Sequence, residues 1–165
     1  MKNKNMYFAL LILMLVVSAC GSSKPTPAPA APTATFTEAP TPTPQATPTS
    51  PAVVNVGQNT TLGSFLVDST GMTLYIRTKD TPGVSKYHDS CATNWPALLT
   101  NGAPTAGTGV TASMLGTTAR TDGTVQVTYN GWPLYYSTKD KVAGDTNGES
   151  ANTVWYVMTP AGTQK

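Results

Sequence analysis

The side chains with the most evident chemical potential are two aspartates at matching places in a repeated phrase. Residues 74–80 (LYIRTKD) recur 60 positions later as residues 134–140 (LYYSTKD). Two carboxylates related in this way could act as general acid and base if one cleft held both. An aspartate just past a strand more often accepts backbone amides of the next loop. Because no His or Ser is paired in the same way, we favour structural roles for Asp80 and Asp140 and predict no catalytic residue.

A second group with chemical potential is His88, Asp89 and Cys91, which are close in sequence. One His and one Cys cannot complete a zinc shell. The sequence contains no phosphate-binding loop, nucleophile elbow or His-Glu-x-x-His motif. Residues 145–149 (DTNGE) lack the EF-hand spacing and read as a Gly/Asn-rich turn. We therefore expect no metal and no cofactor.

The first 19 residues have the features of a lipoprotein signal peptide. Lys2 and Lys4 precede an apolar run at 6–17 that is short for a membrane span, and small residues stand directly before Cys20. The pattern predicts cleavage before Cys20 and lipidation of its thiol. Several acyl chains anchor a protein where one does not, because each buried methylene contributes about 0.8 kcal/mol. The protein is thus expected to be lipid-anchored on the extracytoplasmic side of a membrane in a bacterial cell envelope.

Composition divides the rest of the chain into a tether and one domain. Residues 20–52 are rich in Pro, Thr and Ala, which favours an extended segment without a packed core. Residues 53–165 have the mixed composition of a globular β domain. That domain carries seven Lys/Arg and seven Asp/Glu residues, so its net charge is near zero. A nucleic-acid partner is therefore not expected.

The domain reads as short strands in two copies, about 54–101 and 114–161. The first copy predicts strands at 53–58, 65–67, 72–78 and 95–99; the second predicts them at 115–121, 125–129, 134–137 and 154–158. Asp122-Gly123 and Asn130-Gly131 predict two-residue hairpin turns. A helical turn is expected at 111–115, with Thr111 as its cap. We predict an all-β fold of two tandem repeats, each of about four antiparallel strands, with pseudo-two-fold symmetry, as a sandwich or a barrel-like arrangement.

The 60-residue spacing extends to other positions. It matches Phe65 with Val125, Val67 with Val127, Gly63 with Gly123 and Trp95 with Trp155. We interpret Trp95 and Trp155 as buried core anchors. Strand alternation places Leu74 and Ile76 on the core face, and Tyr75 and Arg77 on the other. The tyrosine face either packs on the partner repeat or lines a surface.

These motifs, taken with residues 91–96 (CATNWP), 120–123 (RTDG) and 129–136 (YNGWPLYY), resemble bacterial secreted-repeat lipoproteins with a Tyr-x-(Phe/Trp/Tyr)-x-x-Asp motif. The resemblance covers residues 60–162 and implies that Tyr75, Asp80, Tyr135 and Asp140 are the motif positions. It implies no biochemical activity. The chain departs at the aromatic position, which is Arg77 in one copy and Ser137 in the other. It also has Tyr87 where members often have a second cysteine, which leaves Cys91 as a free thiol.

The function that these observations favour is a surface-displayed, non-enzymatic binding or envelope-structural module. An envelope protein or a glycan would be its partner, besides the membrane that holds its lipid. Candidate binding residues are Trp132, beside the Asn130-Gly131 turn, and Tyr75, Arg77 and Tyr135 if their face is exposed. One alternative is an accessory role in extracytoplasmic redox chemistry through Cys91, which we expect to be buried and inert. A small hydrolase using Asp80 and Asp140 is the other.

Overall fold

The computed structural model describes residues 47–87 and 92–165, and almost all of the regular elements within them are short strands, joined by turns and irregular segments. The strands are β1 (Val53–Asn59), β2 (Gly63–Asp68), β3 (Tyr75–Arg77), β4 (Thr105–Ala106), β5 (Leu115–Ala119), β6 (Val125–Tyr129), β7 (Trp132–Pro133) and β8 (Trp155–Val157). No helix formed by these residues is long and apolar enough to cross a membrane. The predicted signal peptide, Cys20 and most of the predicted tether lie outside the described residues. His88, Asp89 and Cys91 do so as well.

The strands form three small sheets. Their orders are β2-β1-β4, β3-β8 and β5-β6-β7. All pairings are antiparallel except that of β1 with β4, which is parallel. The predicted all-β class of two repeats is confirmed, and its form is sandwich-like rather than a closed barrel because the hydrogen-bonded strands belong to separate sheets.

Both predicted hairpins in the second copy form, but only Asn130-Gly131 is the two-residue turn that the sequence predicts. At the other, Arg120 N donates to Thr124 O, so residues 121–123 make a three-residue loop. Asn130 and Gly131 have φ values of 48° and 80°, the left-handed pair that a tight hairpin requires, and they join β6 to β7. Gly123 has φ 82° in the turn between β5 and β6. Glycine reaches this region without a Cβ penalty, so local sequence chemistry specifies this three-stranded meander.

Three predicted elements differ from the structure. Residues 95–99 contribute isolated bridges at Ala97 and Leu99 instead of a continuous strand, and residues 134–137 contribute a bridge at Tyr135. The turn at 111–115 is a three-residue 3-10 helix, Ala112–Met114. Thr111 occupies its N-cap position, but its side chain makes no cap hydrogen bond, so the predicted capping is wrong. Its backbone amide instead donates to the Tyr129 hydroxyl at 3.2 Å.

Equivalent residues of the two copies are 61 positions apart in the hairpins β1-β2 and β5-β6. They are 60 positions apart from the repeated phrase onward. Leu66 N donates to Met158 O, and at the equivalent place Val127 N donates to Leu98 O. Leu66 is therefore equivalent to Val127, and the expected pairing of Val67 with Val127 is wrong. The turn between the bridges Val67↔Thr73 and Thr128↔Pro133 is one residue shorter in the second copy, which restores the 60-residue spacing. The matches of Phe65 with Val125 and of Gly63 with Gly123 fail for the same reason.

Strand alternation divides the core into two clusters. The leucine cluster holds Val54, Leu66, Leu74, Ile76, Leu98, Val127, Tyr129, Leu134 and Met158. The aromatic cluster holds Phe65, Val67, Tyr75, Trp95, Ala97, Leu99, Tyr135, Trp155 and Val157. Residues 74–76 contribute to both, because successive side chains of a strand point to opposite faces. The leucine face of the repeated phrase is buried as predicted, and the tyrosine face is buried too, against the other repeat.

Candidate functional site

The two copies of the phrase, residues 74–80 and 134–140, pair with each other through an antiparallel bridge between Tyr75 and Tyr135. Tyr75 N donates to Tyr135 O at 2.8 Å, and Tyr135 N donates to Tyr75 O at 2.9 Å. The flanking pairs also cross between copies, because Tyr75 lies opposite Val157 and Tyr135 lies opposite Ala97. Each repeat thus borrows the last segment of the other to complete the sheet around its own tyrosine.

The motif tyrosines and aspartates pair across the repeats. Tyr75 Oη donates to Asp140 Oδ2 at 2.7 Å, and Tyr135 Oη donates to Asp80 Oδ2 at 2.5 Å. All four residues are buried. A hydrogen bond to a charged acceptor is among the stronger ones in proteins, and its loss would leave a buried group without a partner. The repeated motif therefore joins the two halves of the domain.

The second oxygen of each carboxylate holds the loop that follows it. Asp80 Oδ1 accepts from Lys86 N at 3.2 Å and from the Arg77 guanidinium at 3.3 Å. Asp140 Oδ1 accepts from Asn147 N at 2.8 Å. Each aspartate thus accepts a loop amide, the contact that sequence reasoning favoured. The hydrolase alternative needs both carboxylates in one cleft; in the structure each is buried and accepts a hydrogen bond from a tyrosine of the other repeat.

The two phenols differ in what donates to them. Gly148 N donates to Tyr75 Oη at 3.2 Å. Tyr135 Oη lies 2.7 Å from Ser85 Oγ, and because its own proton goes to Asp80, Ser85 is the donor. Arg120 in turn donates to Ser85 Oγ at 3.1 Å. In one repeat a backbone amide supports the tyrosine, and in the other a serine backed by a buried guanidinium does so.

Sequence reasoning missed the Arg120 network. Arg120 also donates to Gln126 Oε1 at 2.8 Å, and Gln126 Nε2 donates to Leu134 O at 2.7 Å. Gln126, the second residue of β6, is fully buried. The sequence offered no signal for this burial, because Gln126 stands between Val125 and Val127 and alternation places it on the polar face of the strand. Its hydrogen bonds satisfy its polar atoms, as is usual for buried polar groups in native proteins.

Burial raises the pKa values of ionisable groups in and around this centre. Desolvation, followed by the hydrogen bond and the charge of Asp140, raises the pKa of Tyr75 far above its ordinary value. Desolvation and the hydrogen bond to Asp80 raise the pKa of Tyr135 in the same direction. The pKa of Tyr136 is raised by desolvation and by Asp68, to which its hydroxyl donates at 3.0 Å. Desolvation also raises the pKa of Asp140, against the hydrogen bonds from Tyr75 and Asn147.

These phenols lead us to expect alkaline unfolding. A tyrosine with a raised folded pKa stabilises the fold fully below pH 10.0, its ordinary value, and this stabilisation is lost as the pH rises further. Three such groups should lower the free energy of unfolding by about 4 kcal/mol per pH unit, at about 1.4 kcal/mol for each. Phenolate absorbance and circular dichroism should change together. Tyr136→Phe should make the dependence less steep. Ionisation of all three phenols near pH 10.0 in a folded domain would contradict the expectation.

The tryptophans at equivalent places form the centre of the aromatic cluster. Trp95 and Trp155 stack face to face, with ring centroids 3.9 Å apart and an interplanar angle of 1°. Tyr75 contacts the Trp95 ring edge to face at 5.4 Å, and Tyr135 contacts Trp155 likewise at 5.2 Å. Both indoles are buried, so their predicted role as core anchors is confirmed.

The four candidate binding residues differ in their exposure to solvent. Tyr75 and Tyr135 are fully buried, so the condition of an exposed tyrosine face is not met. Arg77 is half-buried, and its guanidinium lies 5.1 Å from the centroid of the Tyr87 ring. Trp132 is half-buried and packs against the leucine cluster. Of the four candidates, Arg77 and Trp132 therefore keep part of their surface accessible.

The loop after the second motif is a turn closed by its own aspartate. Asp145 Oδ2 accepts from Lys141 N at 2.8 Å and from Val142 N at 3.1 Å, and these two hydrogen bonds lower its pKa. The described part of the chain contains no group of three or more His, Cys, Asp or Glu side chains placed to hold a metal ion. Asp145 thus closes a turn, which is the kind of element that the Gly/Asn-rich composition of residues 145–149 predicts.

A cavity of about 210 Å³ opens beside the tryptophan stack. It is lined by Asn94, Trp95, Ser137, Thr138, Lys139, Ala151 and Asn152. The cavity lies where the last segment of the first copy meets the phrase of the second, since Thr138 N donates to Asn94 O at 3.1 Å. It is therefore formed by both repeats, and sequence reasoning did not identify it.

The fold and its centre define a class of protein: an all-β domain of two copies locked together by their own repeated motif. A family model described as a secreted repeat of unknown function matches residues 58–99 and 116–159. The chain belongs to this family. The two matched segments correspond to the two structural repeats. No curated protein matches the chain, and no solved structure does.

Proposed function

We propose that the protein is a non-enzymatic module displayed on the cell envelope, where it binds an envelope component or supports envelope structure. The observation that carries the proposal is the cross-repeat pairing of Tyr75 with Asp140 and of Tyr135 with Asp80. The carboxylates of both aspartates are therefore engaged in hydrogen bonds that join the two repeats. What they hold is a small, near-neutral domain with accessible polar surface.

Display is supported by the N-terminal sequence and by the family. The family is one of secreted repeats. Short basic and apolar segments precede Cys20, and a Pro/Thr-rich stretch separates that cysteine from the β domain. A lipid at Cys20 and an extended tether would hold the domain some distance from the membrane, where it could reach a glycan or protein partner.

The anchor can be tested with a single substitution. Cys20→Ser removes the thiol that would carry the lipid, so the protein should move from the membrane to the soluble fraction or persist as an uncleaved precursor. Fractionation of cells with detection of the β domain measures this. Cys91→Ser is the matched control, and it should remain in the membrane fraction. Membrane retention of a correctly processed Cys20→Ser protein would refute the lipid anchor.

Binding can be tested by retention of the domain on isolated envelopes. The full-length protein, extracted with its lipid in detergent, should retain a reproducible set of envelope proteins or glycans after washing. A variant that disrupts the fold, such as Asp80→Ala, should lose that set together with its thermal stability. If the folded protein retains no more than a detergent-solubilised control lipoprotein does, the binding role is excluded and an envelope-structural role must be sought in mutant cells.

A further inference from the structure

The cavity beside the tryptophan stack borders a motif position at which the two copies differ. In the first copy this position is Arg77, whose long side chain reaches Asp80 and lies over the Tyr87 ring. In the second copy it is Ser137, which lines the cavity. The backbone is the same in both, since Thr78 N donates to Val154 O just as Thr138 N donates to Asn94 O. At the cavity the second copy therefore has a short side chain, where the first copy has an arginine that contacts Asp80 and the Tyr87 ring.

Two buried donors that line the cavity have no acceptor in the described part of the chain. Ser137 is 3% exposed; its Oγ accepts from Lys139 N at 3.3 Å, and its proton is donated to none of the described residues. Trp95 is 6% exposed, and its indole N–H likewise donates to none of them. A buried polar group without a partner is unfavourable, so both donors favour an occupant that offers acceptors.

The rim of the cavity is strained on one side. Ser150, Asn152 and Thr153 have φ values of 56°, 51° and 56°. This left-handed region is unfavourable for residues other than glycine, and most of all for a β-branched residue such as Thr153. Strain of this kind is found where the surrounding fold holds a functional geometry. Of these three residues, Asn152 lines the cavity, and Asn94 lines it as well.

The polar groups of the cavity define the chemistry of a ligand. Lys139 is exposed and is the charged side chain of the lining, so the site favours an anion. The side-chain amides of Asn94 and Asn152 each offer a donor and an acceptor, which suits hydroxyl groups. The volume of about 210 Å³ is below the range of about 300–1,000 Å³ that is usual for drug-sized ligands, so a single ring fits.

From these features we infer that the cavity binds one acidic sugar unit, a uronate, with its carboxylate on Lys139 and its oxygens on Ser137 and Trp95. This inference rests on the proposed display function and names the partner of the displayed domain. An envelope or surface polysaccharide that carries uronate residues would meet the site at the end of the tether.

The test uses the full-length protein and measures binding of glucuronate and galacturonate by saturation-transfer NMR and calorimetry, with glucose and galactose as neutral analogues. Lys139→Gln should weaken uronate binding about tenfold, the loss expected for one charge-assisted hydrogen bond. Lys79→Gln is the matched control, because Lys79 holds the same place in the first copy and does not line the cavity. It should leave uronate affinity unchanged.

Ser137→Arg gives the second test, because it places a long side chain at the cavity lining and gives the second copy the residue that the first copy has at this motif position. Uronate binding should disappear while the melting temperature stays close to that of the wild type. If Ser137→Arg misfolds, Asn152→Ala serves instead and should weaken binding of both uronates. No uronate binding at millimolar concentration, equal binding of the neutral sugars, or binding that survives both Lys139→Gln and the Ser137 or Asn152 variant would overturn the inference.

Envelope retention separates this inference from the proposed function. If free uronate displaces the retained envelope component, both are supported. If retention is clear but uronate neither binds nor competes, the sugar site is wrong and the display function stands. If the folded protein retains nothing from the envelope, the proposed binding function fails and the biological role inferred for the cavity fails with it.

Discussion

Trp155→Ala is expected to lower the free energy of unfolding by about 3–5 kcal/mol, the usual cost of truncating a buried tryptophan. The Trp155 ring stacks on Trp95 and meets the ring edges of Tyr135 and Tyr87, at 5.2 Å and 5.0 Å between centroids. Its removal leaves a cavity between the repeats, and the Trp95 ring loses the aromatic ring that stacks on one of its faces. A small domain has about 5–15 kcal/mol in total, so much of the native stability depends on this one residue.

Chemical denaturation of the variant and the wild type measures the effect. Trp132→Ala is the matched control, because it also removes an indole but from a half-buried position at a hairpin, and its loss should be clearly smaller. Trp95→Ala should behave like Trp155→Ala, and the double variant should lose less than the sum of the two, because the rings share one contact. Equal losses for Trp155→Ala and Trp132→Ala would contradict the central role of the stack.

The sequence was sufficient to predict the elements whose cause is local. Alternation of apolar residues predicts β6, and left-handed turn residues predict its hairpins. The repeat predicts that Trp95 and Trp155 are equivalent, and their size predicts burial. Each of these inferences needs a few neighbouring residues, or the same residues one period later.

The pairing between the copies could not be predicted in the same way. Tyr75 is five residues from Asp80 and sixty-five from Asp140, so local reasoning favours the nearer carboxylate. The structure selects the farther one, because each repeat lends its last segment to the sheet of the other. The two choices are identical in sequence pattern and differ only in tertiary arrangement.

The register of the repeats shows a second limit. A constant spacing of 60 matches the phrase and the tryptophans but misplaces the hairpins by one residue. The extra residue of the first copy lies in a turn, where length varies at little cost because turns are exposed. In a strand, a shift by one exchanges the buried and exposed faces, so Val67 and Val127 belong to different core clusters.

The buried polar groups were also beyond sequence reasoning. Arg120 stands before the Asp122-Gly123 turn, where an arginine is ordinarily exposed. It is 8% exposed here and bonds to Ser85 and Gln126. Its partners come from separate parts of the chain, so their meeting depends on the packing of the loop at 81–87 against β6.

Asp80→Ala is expected to destabilise the domain by about 3–5 kcal/mol, because it removes a buried carboxylate with several partners and each buried group left without its acceptor costs about 1–3 kcal/mol. The substitution leaves the Tyr135 hydroxyl and Lys86 N without their acceptor, and it leaves the Arg77 guanidinium without its counter-ion. Asp140→Ala removes an acceptor from Tyr75 and Asn147 N, and no salt bridge to it is formed in the described part of the chain. Its cost should be smaller, about 1–3 kcal/mol.

A double-mutant cycle tests the crossed pairing itself. Tyr135→Phe and Asp80→Ala should be coupled by about 0.5–3 kcal/mol in chemical denaturation, because they remove two ends of one hydrogen bond. Tyr135→Phe and Asp140→Ala should be nearly additive by comparison. Asp122→Ala is the control for loss of an aspartate on the Arg120 network, and its effect should be small because its side chain is 52% exposed. Stronger coupling of Tyr135 to Asp140 than to Asp80 would show that the motif closes within each repeat instead of between them.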